Sequence, residues 1–262
     1  MFLRKLIFFF VFGFITIITP TWAASPSNSI FQAGEDLFYE VSFYGVKLGS
    51  IHIISERIDK IGTKQVYKTK AIIDSYKGIP FVSLHSVFDS WLDKSMTYSH
   101  KFVGTTKQDN GDEIQTIVFD YDKGEYSNKR TQNGMEIYNS TNKIYQKWNE
   151  GLSLFFLARK YVGSKKSFLV PTIITNDSAS TSLNFIGTRE TVEIDAVKYP
   201  IKTIYFNGNG DWSGLYGLNG KYEGWFSDDD ARVPIKAKMN VYVGSVDIEL
   251  KRWTRTGWTP PK

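Results

Sequence analysis

Apolar side chains recur at every second position in short runs along this chain, most clearly in VPIKAKMNVYVGSVDIEL from Val233 to Leu250. Val233, Ile235, Ala237, Met239, Val241 and Val243 share one parity, and Val246, Ile248 and Leu250 carry on with the other. Successive side chains of a strand point to opposite faces, so a slip of one residue exchanges the faces. The change of phase at Gly244-Ser245 therefore predicts a bulge or a sharp turn at Gly244, where the missing Cβ permits unusual backbone angles.

The same signal recurs elsewhere. In FYEVSFYGVKLGSIHIIS, Tyr39, Val41 and Phe43 share a side, as do Ile51 and Ile53, with Gly45 and Gly49 marking bends or turns. Strands are predicted at Val66 to Ile73, Thr97 to Thr105, Ile114 to Tyr121, Met135 to Tyr138, Ser167 to Ile174, Thr181 to Ile186, Thr191 to Ala196 and Ile201 to Phe206. Asn110-Gly111 supplies the positive φ values of a tight hairpin between two of them. Most gaps are too short for crossover helices, so the fold is predicted to be mainly β: a single strongly curved antiparallel sheet or partly closed barrel, lipocalin-like in general shape. The Gly-Ser step at Gly49-Ser50 matches the one at Gly244-Ser245, which suggests that the terminal strands pair and help close the barrel.

One segment has another period. From Asn149 to Gly163, residues Leu152, Phe155, Phe156, Arg159 and Val162 fall at three and four spacing, which predicts the principal helix, with an apolar stripe covering or plugging the open side of the sheet.

The N-terminus bears on destination. Arg4 and Lys5 precede an apolar stretch from Leu6 to Ile18, followed by Pro20 and the small residues Ala23 and Ala24. That order is a secretory signal, and the stretch is too short for a hydrocarbon core about 30 Å thick. The expected organisation is a signal peptide at 1–23, a flexible mature N-terminus at 24–33, one β domain at 34–252 and a C-terminal tail at 253–262. A periplasmic protein with no stable membrane span after cleavage follows. The chain has no cysteine, so neither a disulfide nor a cysteine-linked lipid is expected. Removing Arg4 and Lys5 lowers the formal net charge from +5 to +3. The remaining basic residues are interspersed with acids, so no nucleic-acid partner is expected.

GEDLFYEVSFYGVKLGS near the start, VFDSWLD at 87–93, GLSLFFLARKY at 151–161 and WFSDDDARVPIKAKMNVYVGSVDIEL near the end together resemble the DUF3108 family of exported bacterial proteins. The resemblance runs from Gly34 to Leu250. It falls on Gly34, Glu35, Tyr39, Gly45 and Gly49, on Leu152, Ser153, Phe155, Phe156 and Arg159, and on Trp225, Ser227, Asp228, Asp229, Arg232, Pro234, Gly244 and Ser245. Asp230 and Ala231 depart from the family pattern. The resemblance implies the fold and carries no activity, the family being one of unknown function.

The chemistry is weighed residue by residue. Asp228, Asp229 and Asp230 lack the alternating ligand spacing of a calcium loop, so Ser227, Asp228, Asp229 and Arg232 are expected to form a structural turn, with Arg232 paired to Asp228 or Asp229. His52, His85 and His100 have no close ligand partner in sequence, so no metal is assigned. No serine sits in a nucleophile elbow and no catalytic residue or cofactor is assigned. The aromatic cluster of NGNGDWSGLYGLNGKYEGW offers Trp212, Tyr216, Tyr222 and Trp225 either as cover for a small sheet or as ligand-binding candidates, with Arg159 available for an anionic head group or for an internal carboxylate. The expected function is a noncatalytic carrier for an amphipathic envelope component, lipid or glycan. The alternatives are an assembly factor with an envelope protein partner, and a glycan or lipid hydrolase.

Overall fold

A computed structural model of the chain describes residues 30–79, 83–174, 177–213, 219–241 and 244–262. Its strands are β1 (Glu35–Phe43), β2 (Val46–Ile61), β3 (Lys64–Ser75), β4 (His85–Asp93), β5 (Ser99–Thr106), β6 (Glu113–Asp120), β7 (Glu125–Gln132), β8 (Met135–Lys143), β9 (Ser167–Ile174), β10 (Asp177–Asn184), β11 (Arg189–Val192), β12 (Ile201–Ser213), β13 (Asn219–Ser227), β14 (Pro234–Asn240) and β15 (Ser245–Thr254), with helix α1 (Gly151–Tyr161) between β8 and β9. They form one sheet in the order β8-β7-β6-β5-β4-β3-β2-β1-β15-β14-β13-β12-β10-β9, with β11 beside β12. Two antiparallel meanders thus meet at the β1·β15 pair, where Tyr39 lies opposite Leu250 and Val41 opposite Ile248. The expected pairing of the terminal strands is present, but the sheet does not close: β8 and β9 remain its two edges.

The segment between those edges bridges part of the seam. Asn149 receives a backbone bond from Ile173 and donates one to Pro171 in β9, while the Trp148 carbonyl accepts from Ser99 in β5. Phe102, Ile117, Phe119 and Tyr126 from β5 to β7 pack with Ile144 and with Ile173 of β9.

The helix lies where its sequence period predicts. Glu150 caps it, accepting the Leu152 amide at 2.8 Å while Ser153 Oγ accepts the Glu150 amide, a reciprocal arrangement that satisfies two orphan donors. Leu152 and Phe156 pack with Leu37, Leu92, Ile201, Val233, Ile235 and Leu250, and Leu157, Ala158 and Val162 pack with Leu183, Phe185, Phe206 and Phe226. A helix that connects two sheet edges on the inside of the curve has apolar surface on several sides, so its buried positions exceed a single stripe.

Three differences from the sequence reading have physical reasons. Strands β4 and β7 are additional: EYSNKRTQ in β7 has few apolar residues because only Tyr126 and Asn128 are buried, and its neighbours impose the strand. Of the two glycines expected to mark bends or turns, Gly45 forms the β1–β2 turn with Tyr44, both at positive φ, whereas Gly49 is inside β2, next to a register shift against Val41 and Ser42 of β1, where a Cβ would strike the Asp74 carbonyl of β3. The phase change at Gly244, by contrast, is the sharp turn expected there, between β14 and β15, with φ +79 at Gly244. The stretch 24–33 and the tail 253–262 are not loose where they are described. Phe31 stacks on Tyr67 with ring centroids 3.9 Å apart, β15 runs on to Thr254, Arg255 is buried and Trp258 Nε1 donates to Asp229 at 2.8 Å. Among the described residues no helix is long and apolar enough to cross a membrane.

Candidate functional site

The strand alternation sends Tyr39, Ile51, Ile53, Ala71, Phe88 and Phe102 to the concave face of the sheet, and α1 lies across one end of it. The two ends of that interior differ.

At the end where β1 starts and β15 finishes, the interior is closed by an ion cluster. Glu35 accepts from Arg159 Nη1 at 2.6 Å and Nη2 at 3.1 Å, from Arg255 Nη1, and from Ser55 Oγ at 3.3 Å. Both the Arg159 and Glu35 side chains are 0% exposed. Burial alone would raise the Glu35 pKa, but the charge and hydrogen bonds of Arg159, then of Arg255, hold it below its ordinary value. Arg159 also donates to the carbonyls of Arg232 and Ala231 at 3.1 and 3.0 Å. Of its two expected uses, the structure displays the internal carboxylate.

At the other end the interior is open. A cavity of ≈ 520 Å³ lies between α1 and the concave face, walled by Ile51, Ile53, Ile73, Phe88, Phe155, Leu183, Phe206 and Ile248 among others. One wall is polar, because the inward positions of β6 and β7 change from apolar (Ile117, Phe119, Tyr126) to polar (Glu113, Gln115, Asn128, Arg130) along their length. Arg130 Nε donates to Glu113 Oε1 at 2.6 Å, Gln108 Nε2 to Glu113 Oε2 at 2.9 Å and Gln115 Nε2 to Asn128 Oδ1 at 3.0 Å. Gln108 is exposed, so the cavity reaches solvent beside the β5–β6 turn. Glu150 also lines it, with Ser90 Oγ and the Leu152 amide as donors. Burial pushes its carboxyl above the ordinary value.

The sequence candidates are dispersed. Tyr222 lines the cavity, its hydroxyl donating to the Ser182 carbonyl at 2.7 Å and raised by burial. Trp225 is on the opposite face, against Tyr205 at 5.5 Å and donating to Glu190. Tyr216 falls outside the described residues, and Trp212 is a position of β12 outside those whose side chains are described. Glycine within this aromatic cluster has a second use beyond turns: Gly208 is a strand residue whose missing Cβ leaves room for the Tyr222 ring.

The acidic turn is built as a cap. Asp229 Oδ1 accepts from Ser227 Oγ at 2.8 Å and from the Ala231 and Arg232 amides at 3.0 Å each, while Ser227 Oγ accepts the Val233 amide at 2.7 Å. Arg232, at φ +46, does not pair with an aspartate as expected. Its guanidinium donates to the carbonyls of Arg159 and Lys160 at the C-terminus of α1, and Asp228 pairs instead with Arg189 at 2.7 Å. The unsatisfied carbonyls of a helix end are a better partner for a cation held above them than an exposed carboxylate. The histidines lie apart, His52 beside Asp36, His85 beside Asp74 and His100 beside Asp93.

The family profile described as "Protein of unknown function (DUF3108)" matches residues 39–251. The chain belongs to the DUF3108 family. Among solved structures, this DUF3108 protein is similar to a β-barrel-like protein of domain of unknown function DUF1849 from Brucella abortus, with a TM-score of 0.55 and 9% identity over 84% of this chain and 97% of that one. It also matches, with a TM-score of 0.35 and 10% identity over 86% of this chain and 97% of that one, a protein from Bacteroides fragilis described as exported and of YmcC-like fold. The first likeness agrees with the fold. No curated protein matches the chain.

Proposed function

We propose that this DUF3108 protein is a noncatalytic binding or carrier protein for an amphipathic envelope component, lipid or glycan, exported to the periplasm behind a cleaved segment at 1–23. The observation that carries the reading is the ≈ 520 Å³ cavity with a mostly apolar wall and one polar strip. Its volume lies in the range of small-molecule sites, and the few convergent polar groups would orient a ligand whose apolar part fills the rest. Export is supported by the sequence order of the first 24 residues.

The reading is tested on full-length protein purified from its own cells by native mass spectrometry and solvent extraction, followed by titration of the stripped protein with a fluorescent fatty-chain probe. A retained amphiphile, or saturable probe binding displaced by the extract, is expected. Absence of both overturns the carrier reading. The assembly-factor alternative is favoured by one observation: β8 is an open edge exposed along its length apart from Tyr138 and Ser140, with Met135 70% and Ile137 49% exposed. It predicts that Met135→Lys and Ile137→Lys abolish co-purification of a partner while probe binding persists.

A further inference from the structure

The lining of the cavity is charged at few places, and each is accounted for. Arg130 and Glu113, whose side chains are 17% and 15% exposed, neutralise one another. Glu223 and Lys236 belong to lining strands, but their side chains point to the other face, where Glu223 accepts from Tyr205 Oη at 3.0 Å and Lys236 approaches Glu249 at 3.9 Å. At the far end Glu150 has hydroxyl and amide donors, and burial favours its neutral form. Among the described lining residues, therefore, no cation is without a counter-charge. An anionic head group entering beside Arg130 would meet Glu113 at the same time. Repulsion of this kind excludes a ligand class as effectively as attraction selects one. A neutral head carrying hydroxyls finds matched donors and acceptors in Arg130, Glu113, Gln108 and Gln115.

Volume restricts the apolar part. At ≈ 520 Å³ the cavity lies in the range of about 300–1,000 Å³ of sites that enclose one small-molecule ligand. A single-chain amphiphile is of that size, and a two-chain lipid is larger.

We infer that the cavity selects a single-chain amphiphile with an uncharged, hydroxyl-bearing head group, whose head lies against the Glu113–Arg130 pair and whose chain runs toward Phe88 and Leu183. This rests on the carrier reading and specifies its ligand. The shared chemistry is a polyol on one chain, which a glycerol ester and a glycoside both supply.

The test is competition against the fluorescent fatty-chain probe by 1-monomyristoyl glycerol, dodecyl glucoside, myristate, tetradecylamine and a two-chain phosphatidylglycerol, all below their aggregation concentrations. One of the two neutral single-chain ligands should bind at least tenfold more tightly than myristate or the amine, its identity naming the source, and the two-chain lipid should not compete. In Glu113→Gln the freed Arg130 should raise myristate affinity at least tenfold while the glycerol ester changes less than threefold. Arg130→Met should weaken myristate further, which keeps the proposal testable if the first variant does not fold. Equal or tighter binding of myristate or the amine to the wild type, or competition by the two-chain lipid, overturns the head-group or chain assignment and leaves the carrier reading standing. Absence of binding by every ligand, the probe included, overturns both.

Discussion

The two ends of the interior are enclosed by the same strands and are built in opposite ways. At the closed end Glu35 joins Arg159 and Arg255, the side chains of all three 0% exposed, and the space beside them is filled by Leu37, Leu92, Phe156 and Leu250. At the other end the inward residues leave ≈ 520 Å³ unfilled, and the one ion pair lies at the wall near solvent. The contrast separates two uses of charge. A buried ionic cluster with hydrogen bonds to strand, helix and tail fixes how these elements meet, whereas a neutralised pair at a cavity wall is available to a ligand.

The largest effect should come from breaking the closed end. Glu35→Gln leaves two buried guanidiniums without their carboxylate and is expected to cost about 3–5 kcal/mol in denaturant unfolding. The lowered pKa of Glu35 means that its contribution is present above the ordinary glutamate value of 4.5 and is lost as pH falls toward the depressed folded-state value. Acidification should accordingly narrow the gap between wild type and variant; a gap that widens below pH 4.5 would show that Glu35 is not held ionised. Probe binding per folded molecule should stay the same.

A smaller effect is expected at the turn between β14 and β15. Gly244→Val places a branched side chain at φ +79 with its Cβ 3.2 Å from the Phe43 ring, which should destabilise by about 1–3 kcal/mol. Coincident denaturation midpoints with unchanged slopes would deny the turn any special role.

The smallest change in stability should accompany the largest change in binding. Ala237 lines the cavity from β14. Ala237→Phe directs a ring into empty space, so its unfolding free energy should stay within about 1 kcal/mol of wild type, short of the penalty for overfilling a packed core. Probe affinity should fall at least tenfold. A large loss of stability with intact binding would mean that the two ends are not separable in this way.

Legibility followed the range of the interactions. The strands with strict alternation, the helix at 151–161 and the Ser227 to Val233 turn depend on residues within a few positions of each other, and all are readable from the chain. β7 was not, because Glu125 to Gln132 alternates polar residues of both faces. The site was poorly legible: Tyr222 lines the cavity, but Trp225 points away from it, and Glu113, Arg130 and Glu150 went unnoticed. A signal for Glu113 and Gln115 did exist, in the odd-numbered inward positions of β6 that turn from polar to apolar at Ile117.

Local sequence alone determined the curved antiparallel class and the helix, since hydrophobic period and turn chemistry act within one or two turns of chain. Tertiary structure decided the rest. Glu35 meets Arg159 and Arg255 across 124 and 220 residues, and the cavity exists because the inward side chains of many strands do not add up to the space that α1 and the sheet enclose. Neither sum is contained in any short stretch, because packing is a property of all the walls at once.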